Sequence, residues 1–123
     1  MPDHTLVDCH ILVVEDEYML ADEIRDVLEE AGAIVLGPAP DVEGALALLA
    51  SERRIDGAVL DVNLGGEPSY QVADELLRRE VPLLFTTGYD PLGMPERYHE
   101  VPRCEKPIRV AAICEAIGRV IHD

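Results

Sequence analysis

With 123 residues, 25 acidic side chains against 10 basic ones and a formal charge of −15 at pH 7, the chain has the material for one domain with one sizeable core. That much negative charge argues against direct binding to DNA or RNA, whose phosphates would be repelled. No apolar run approaches 18 residues and no apolar leader opens the chain, so neither a membrane span nor a signal peptide is expected.

Hydrophobic residues make up 48% of the chain but aromatics only 4%, the mark of an aliphatic interior of helices packed on a sheet. Cys9, Cys104 and Cys114 are odd in number and lack metal-ligand spacing, which reads as reduced thiols in a cytoplasmic protein. Nine arginines stand against a single lysine, Lys106, directly before a proline. A chain that meets its surface needs with arginine and keeps one lysine has a use for a compact ammonium at that place.

The first predicted element is a strand, His10-Ile11-Leu12-Val13-Val14, which runs into Glu15-Asp16. From Glu17 on, Leu20, Ile24, Val27, Leu28 and Ala31 form the stripe of an amphipathic helix, closed by Gly32 at the position after its C-cap. Ile34-Val35-Leu36 predicts a second strand, stopped by Gly37-Pro38-Ala39-Pro40. Asp41 is placed to cap a second helix whose inner face carries Val42, Ala45, Leu46 and Leu49.

The third strand is the stretch Gly57-Ala58-Val59-Leu60-Asp61-Val62-Asn63, an apolar run ending in a carboxylate, with a turn at Gly65 to Pro68. Such a run reads as a fully buried strand of a parallel sheet. Val72, Ala73, Leu76 and Leu77 mark a third helix, and Pro82 to Thr87 a fourth strand with proline at its start. Between Thr87 and Arg103 lie Gly88, Pro91, Gly93, Pro95 and Pro102. That density predicts a mostly irregular, mobile segment with one or two helical turns around Pro95 to Tyr98. Arg103-Cys104-Glu105 forms a short fifth strand, and a last helix after Pro107 carries Val110, Ile113, Ile117, Val120 and Ile121 on one face.

Alternating strands and helices imply right-handed crossovers and an α/β fold, a doubly wound five-stranded parallel sheet. Five strands favour the flavodoxin-like order 2-1-3-4-5, in which strands one and three are neighbours where the winding reverses. Glu15, Asp16 and Asp61 then converge at one edge, beside Thr87 and Lys106. Like charges about 4 Å apart cost roughly 4 kcal/mol per pair at an effective dielectric near 20, so the three acids need counter-charge. Lys106 offsets part of it, and Mg²⁺, a hard cation that keeps several waters and takes few carboxylates, suits the rest. An ionised Asp61 can then attack phosphorus. Donors for the arriving phosphoryl group are at hand in Thr87, Lys106 and the backbone N–H groups near Val62 and Gly88.

Glu15-Asp16 after strand one, Asp61 after strand three, Thr87 after strand four and Lys106-Pro107 after strand five resemble the receiver domain of bacterial response regulators. The resemblance runs from about Cys9 to the C-terminus. It implies a single receiver domain over 1–123, core about 9–122, without an output domain. It implies Asp61 as phosphoacceptor, and a metal site of Glu15, Asp16, Asp61 and the backbone carbonyl of Asn63. Asp16 would ligate directly and Glu15 largely through water. Thr87, Gly88 and Lys106 would bind the phosphoryl group, with Pro107 a candidate for a cis bond. Two features depart from the common receiver: Asp-Val-Asn-Leu-Gly-Gly-Glu replaces a proline-containing loop, and Arg103 stands where many receivers place a switching aromatic. Phe85-Thr86-Thr87-Gly88-Tyr89 is similar to the FATGUY subgroup, which makes Tyr89 the switch candidate. The resemblance further implies a sensor histidine kinase, of the HWE or a related type, or a phosphotransfer protein as partner, and no nucleic acid or membrane.

Two other readings use the same residues. A pseudo-receiver would be an interaction module that is never phosphorylated. A metal-dependent phosphatase-like enzyme would usually need a further acid where Asn63 stands. His4, His10, His99 and His122 are scattered and read as surface or structural, and Cys104 as a strand thiol.

Overall fold

β3 (Gly57–Asp61) and β6 (Leu83–Thr87) are buried along their whole length, as strands covered by helices on both sheet faces must be. The computed structural model of the protein describes residues 5–52, 54–88 and 93–122. In chain order it contains β1 (His10–Val14), α1 (Tyr18–Glu30), β2 (Ile34–Ala39), α2 (Val42–Ser51) and β3. A small ribbon of β4 (Asn63–Leu64) and β5 (Glu67–Pro68) follows, then α3 (Tyr70–Arg78), β6, a 3-10 turn (Glu96–Tyr98), β7 (Arg103–Glu105) and α4 (Val110–His122).

The main sheet is parallel throughout in the order β2-β1-β3-β6-β7. This is the expected 2-1-3-4-5 arrangement, with β6 and β7 as its fourth and fifth strands. The period of two along β1 divides the core. Leu12 and Val14 join Leu60 and Phe85 under α2 and α3, against Leu49, Val72 and Leu76. Ile11 and Val13 join Val59 and Leu84 under α1 and α4, against Ile24, Leu28, Ile113 and Ile117.

Helix ends follow the local chemistry. The Asp41 side chain accepts the Gly44 N–H at 2.7 Å, capping α2 as its position predicts. At the end of α1 the Gly32 N–H donates to Glu29 O and the Ala33 N–H to Leu28 O, the paired bonds of a Schellman motif with Gly32 at φ +94°. The same motif closes α3 with Glu80 in the left-handed position, φ 59°.

Three sequence expectations are corrected. β2 does not stop at Leu36; it continues past Gly37-Pro38 to Ala39 after a register shift, because an edge strand tolerates a residue that cannot donate. β3 ends at Asp61, so Asn63 belongs to the ribbon, and the turn at Gly65 to Pro68 is that ribbon's hairpin. Leu77 is an exposed position of α3, off the buried face made by Val72, Ala73 and Leu76. The segment after Thr87 is as expected among its described residues, without an α-helix and with a single 3-10 turn at Glu96–Tyr98, and it also packs onto the domain. Met94 and Tyr98 are buried there, and Arg103 reaches back to His99 O at 3.1 Å and Met94 Sδ at 3.7 Å. Tyr89 lies outside the described residues, so its part as a switch stays an expectation from sequence.

Candidate functional site

β1 and β3 lie side by side, with Val14 paired to Leu60. The residues that follow those pairs therefore emerge together at the same edge, and Glu15, Asp16 and Asp61 meet there. One carboxylate oxygen from each lies within 4.8 Å of the others. Glu15 and Asp61 are 2% and 3% exposed, whereas Asp16 faces solvent.

Lys106 comes from the loop after β7, whose pairing with β6 ends at Thr87 and Glu105. Its amide donates to Thr87 O at 2.8 Å, and the Lys106-Pro107 bond is cis, as the resemblance implies. The ammonium Nζ donates to Asp61 Oδ2 at 2.8 Å and lies 3.4 Å from Glu15 Oε1. Asp61 Oδ1 accepts the Asn63 N–H at 3.0 Å, and Glu15 Oε2 accepts the Glu17 N–H at 2.9 Å. Thr87 is buried at the end of β6 and Gly88 opens to the cleft. The cleft is lined by Asp16, Glu17, Asp61, Asn63, Gly65, Gly88 and Lys106.

Charge in the cluster is out of balance. Burial pushes the Glu15 carboxyl up to about 8; the Glu17 N–H works against that, while the nearby Asp61 charge adds to it. Burial would lower the Lys106 ammonium, but hydrogen bonding to Asp61 and the charges of Asp61 and Glu15 outweigh it and raise the group. Glu15 Oε1 is buried without a hydrogen bond, its contact with Lys106 being electrostatic only. A buried oxygen short of a partner, beside two more carboxylates within cation-sharing distance, fits a hard divalent ion of the Mg²⁺ kind.

If Asp16 is a ligand, Asp16→Asn should weaken Mg²⁺ binding at least about tenfold, since affinity at such sites follows ligand charge. The same change removes a like charge, so the metal-free protein should melt no lower than wild type. Metal titration followed by thermal melts would check both, and unchanged Mg²⁺ affinity would remove Asp16 from the site.

The ribbon contributes what the sequence reading missed. Leu64 pairs with Glu67 across a two-residue turn, Gly65-Gly66, both at positive φ (62° and 96°), the geometry of a type I′ hairpin. Asn63 Oδ1 accepts the Gly66 N–H at 2.8 Å, and Leu64 is buried in the core as the anchor. Gly65 therefore hangs at the edge of the cleft. A Gly-Gly pair between Leu64 and Glu67 is itself a hairpin signal that could have been read from sequence. Cys104 lies on β7 as expected but is only partly buried, and desolvation raises its thiol.

A family model of the response regulator receiver domain matches residues 11–117, which is most of the chain. The chain belongs to the response regulator receiver family. The solution structure of SdrG from Sphingomonas melonis Fr1 superimposes with a TM-score of 0.78 at 36% identity, covering 92% of this chain and 96% of that one. The BeF3-activated conformation of SdrG from Pseudomonas melonis Fr1 gives 0.74 at 36%, covering 91% and 95%. In sequence, the phyllosphere-induced regulator PhyR of Methylorubrum extorquens is 31% identical over 120 residues, 90% of this chain and 43% of PhyR. The sensory transduction protein LytT of Bacillus cereus is 34% identical over 83 residues, 65% of this chain and 33% of LytT. The chain thus spans well under half the length of these two relatives. As a receiver it is homologous to proteins of two-component signalling, and no helix among the described residues is long and apolar enough to cross a membrane.

Proposed function

We propose that the protein is a single-domain receiver that takes a phosphoryl group from a phosphohistidine onto Asp61, with Mg²⁺, and signals through protein contacts in the cytoplasm. The observation that carries this reading is the buried Asp61 carboxylate, hydrogen-bonded to Lys106 Nζ at 2.8 Å and sharing its corner with Glu15 and Asp16. SdrG, the 36% identical relative, has an activated state with BeF3, which fits the same chemistry here.

Asp16, Asp61, Glu15 through water, and the Asn63 carbonyl would hold the ion. When bound, Mg²⁺ supplies positive charge to the phosphoryl oxygens. The chain's own residues do the rest. The Asn63 N–H and Lys106 fix the Asp61 carboxylate, so that one oxygen can line up with phosphorus. Lys106 and Thr87 then supply donors to the phosphoryl oxygens as charge develops on them. The donor is a sensor histidine kinase of the HWE or a related type, or a phosphotransfer protein. The response passes to the segment between β6 and β7, which begins at the phosphoryl-binding Thr87.

The test is incubation with a small phosphodonor and Mg²⁺, followed by intact mass. Wild type gains one phosphoryl group, Asp61→Asn gains none, and chelation of the metal abolishes the gain. A wild type that gains nothing would instead leave a non-phosphorylated interaction module.

A further inference from the structure

Asp61 is 3% exposed, so a phosphodonor reaches it only through the cleft, whose charged lining is Asp16, Glu17, Asp61 and Lys106. The ammonium of Lys106 is already engaged, at 2.8 Å from Asp61 and 3.4 Å from Glu15. Glu17 differs from the other acids. It is exposed, it is not one of the three converging carboxylates, and its side chain pairs with no cation among the described residues.

The fold does not use that carboxylate either. Glu17 holds the N-cap position of α1, where Ser, Thr, Asp or Asn would accept a backbone N–H, and its side chain makes no capping bond. Only its backbone is engaged: the N–H donates to Glu15 Oε2 at 2.9 Å, and the carbonyl accepts the Ala21 N–H at 2.9 Å. From this we infer that Glu17 is a specificity-determining residue, whose unpaired negative charge on the donor's path makes the cleft favour phosphodonors of lower negative charge. Those are nitrogen-bound phosphoryl groups, whose nitrogen carries a proton, as against acyl phosphates. This rests on the function proposed above. Repulsion between charges needs no contact; it reaches across several ångströms of wet cleft and is screened by salt. In the step it biases, an Asp61 oxygen forms a bond to phosphorus. From phosphoramidate the P–N bond breaks, its electron pair stays on a nitrogen that already holds its protons, and ammonia leaves. From acetyl phosphate the P–O bond breaks and the pair leaves with acetate. Glu17 takes part in neither bond and acts through its field alone.

The test compares acetyl phosphate, a dianion near neutral pH, with phosphoramidate, a monoanion, on the full chain with Mg²⁺, uptake being read by intact mass. At low ionic strength, Glu17→Gln should raise the ratio of the acetyl phosphate rate to the phosphoramidate rate about threefold, and Glu17→Lys about tenfold. In 1 M salt, where the screening length is about 3 Å, both gains should shrink below about twofold. Glu30→Gln makes the same charge change at the exposed far end of α1, roughly 20 Å along the helix, and should leave the ratio within about 1.5-fold. An unchanged ratio in both Glu17 variants, an equal gain with both donors, or a gain that persists in 1 M salt overturns the inference. A wild type that takes up phosphate from neither donor would defeat the underlying function, and the role of Glu17 with it.

Discussion

Tyr98→Ala should destabilise the protein by about 3–5 kcal/mol, the range for removing a large buried aromatic side chain. Tyr98 is fully buried although it stands in a segment dense in proline and glycine. Its ring stacks on Tyr70 at 4.9 Å and meets the edge of Phe85 at 5.7 Å. Such pairs contribute beyond their buried area. The hydroxyl donates to Asp74 and lies 3.2 Å from Tyr70 O, and the Arg97 guanidinium sits 4.5 Å over the ring while pairing with Asp74. Burial and the bond to Asp74 push the phenol up to about 12, so it stays a neutral donor at any physiological pH. Tyr98→Phe keeps the packing and should cost only about 1 kcal/mol, because Asp74 is half exposed and water can replace the hydroxyl. Urea denaturation of both variants would separate ring from hydroxyl. A loss below about 1 kcal/mol for Tyr98→Ala would mean that the segment between β6 and β7 is not anchored on α3.

Lys106→Met should act on both chemistry and stability. Phosphoryl uptake should slow by roughly 10²–10³-fold, the usual loss when one positioned donor to a developing charge is removed. Among the described residues, Lys106 is the cation paired with Asp61 and Glu15, at 2.8 and 3.4 Å. Without it, two buried carboxylates, which accept the Asn63 and Glu17 N–H groups, face each other without its charge, a penalty of about 1–3 kcal/mol in the metal-free protein. The full cost of a broken buried pair is not reached, since Lys106 is 27% exposed and a crowded carboxyl can take up a proton. Saturating Mg²⁺ should narrow the stability gap to wild type, because the ion brings the missing positive charge. A gap that Mg²⁺ leaves unchanged would mean that ammonium and metal do not serve the same carboxylates. Lys106→Arg should not rescue the rate, as a planar fork cannot take the place of a point charge.

The meeting of Glu15, Asp16 and Asp61 was legible because these carboxylates close two apolar runs. Val14 and Leu60 pair in register, so the sequence rule that carboxylates after strands one and three converge became a contact. Lys106 was legible by its rarity among nine arginines. The ribbon was not, because two-residue strands are too short to show a period, and Gly65-Gly66 between them read as a plain turn. Tyr98 was hidden for a different reason. Its partner Tyr70 is 28 residues away on another element, and local composition, which allows only one or two helical turns there, carries no sign of that packing. Pro38 misled in the opposite sense: it ends a central strand, but β2 lies at the sheet edge.

Everything turns on where the phosphoryl group goes. Borohydride reduction of the protein after exposure to a small phosphodonor and Mg²⁺, followed by peptide fragmentation, reads that position directly, since an aspartyl phosphate is reduced to homoserine. Homoserine at position 61, absent when the metal is chelated, is the expected result. Phosphate found on any other residue, or homoserine formed equally well without metal, would contradict the account.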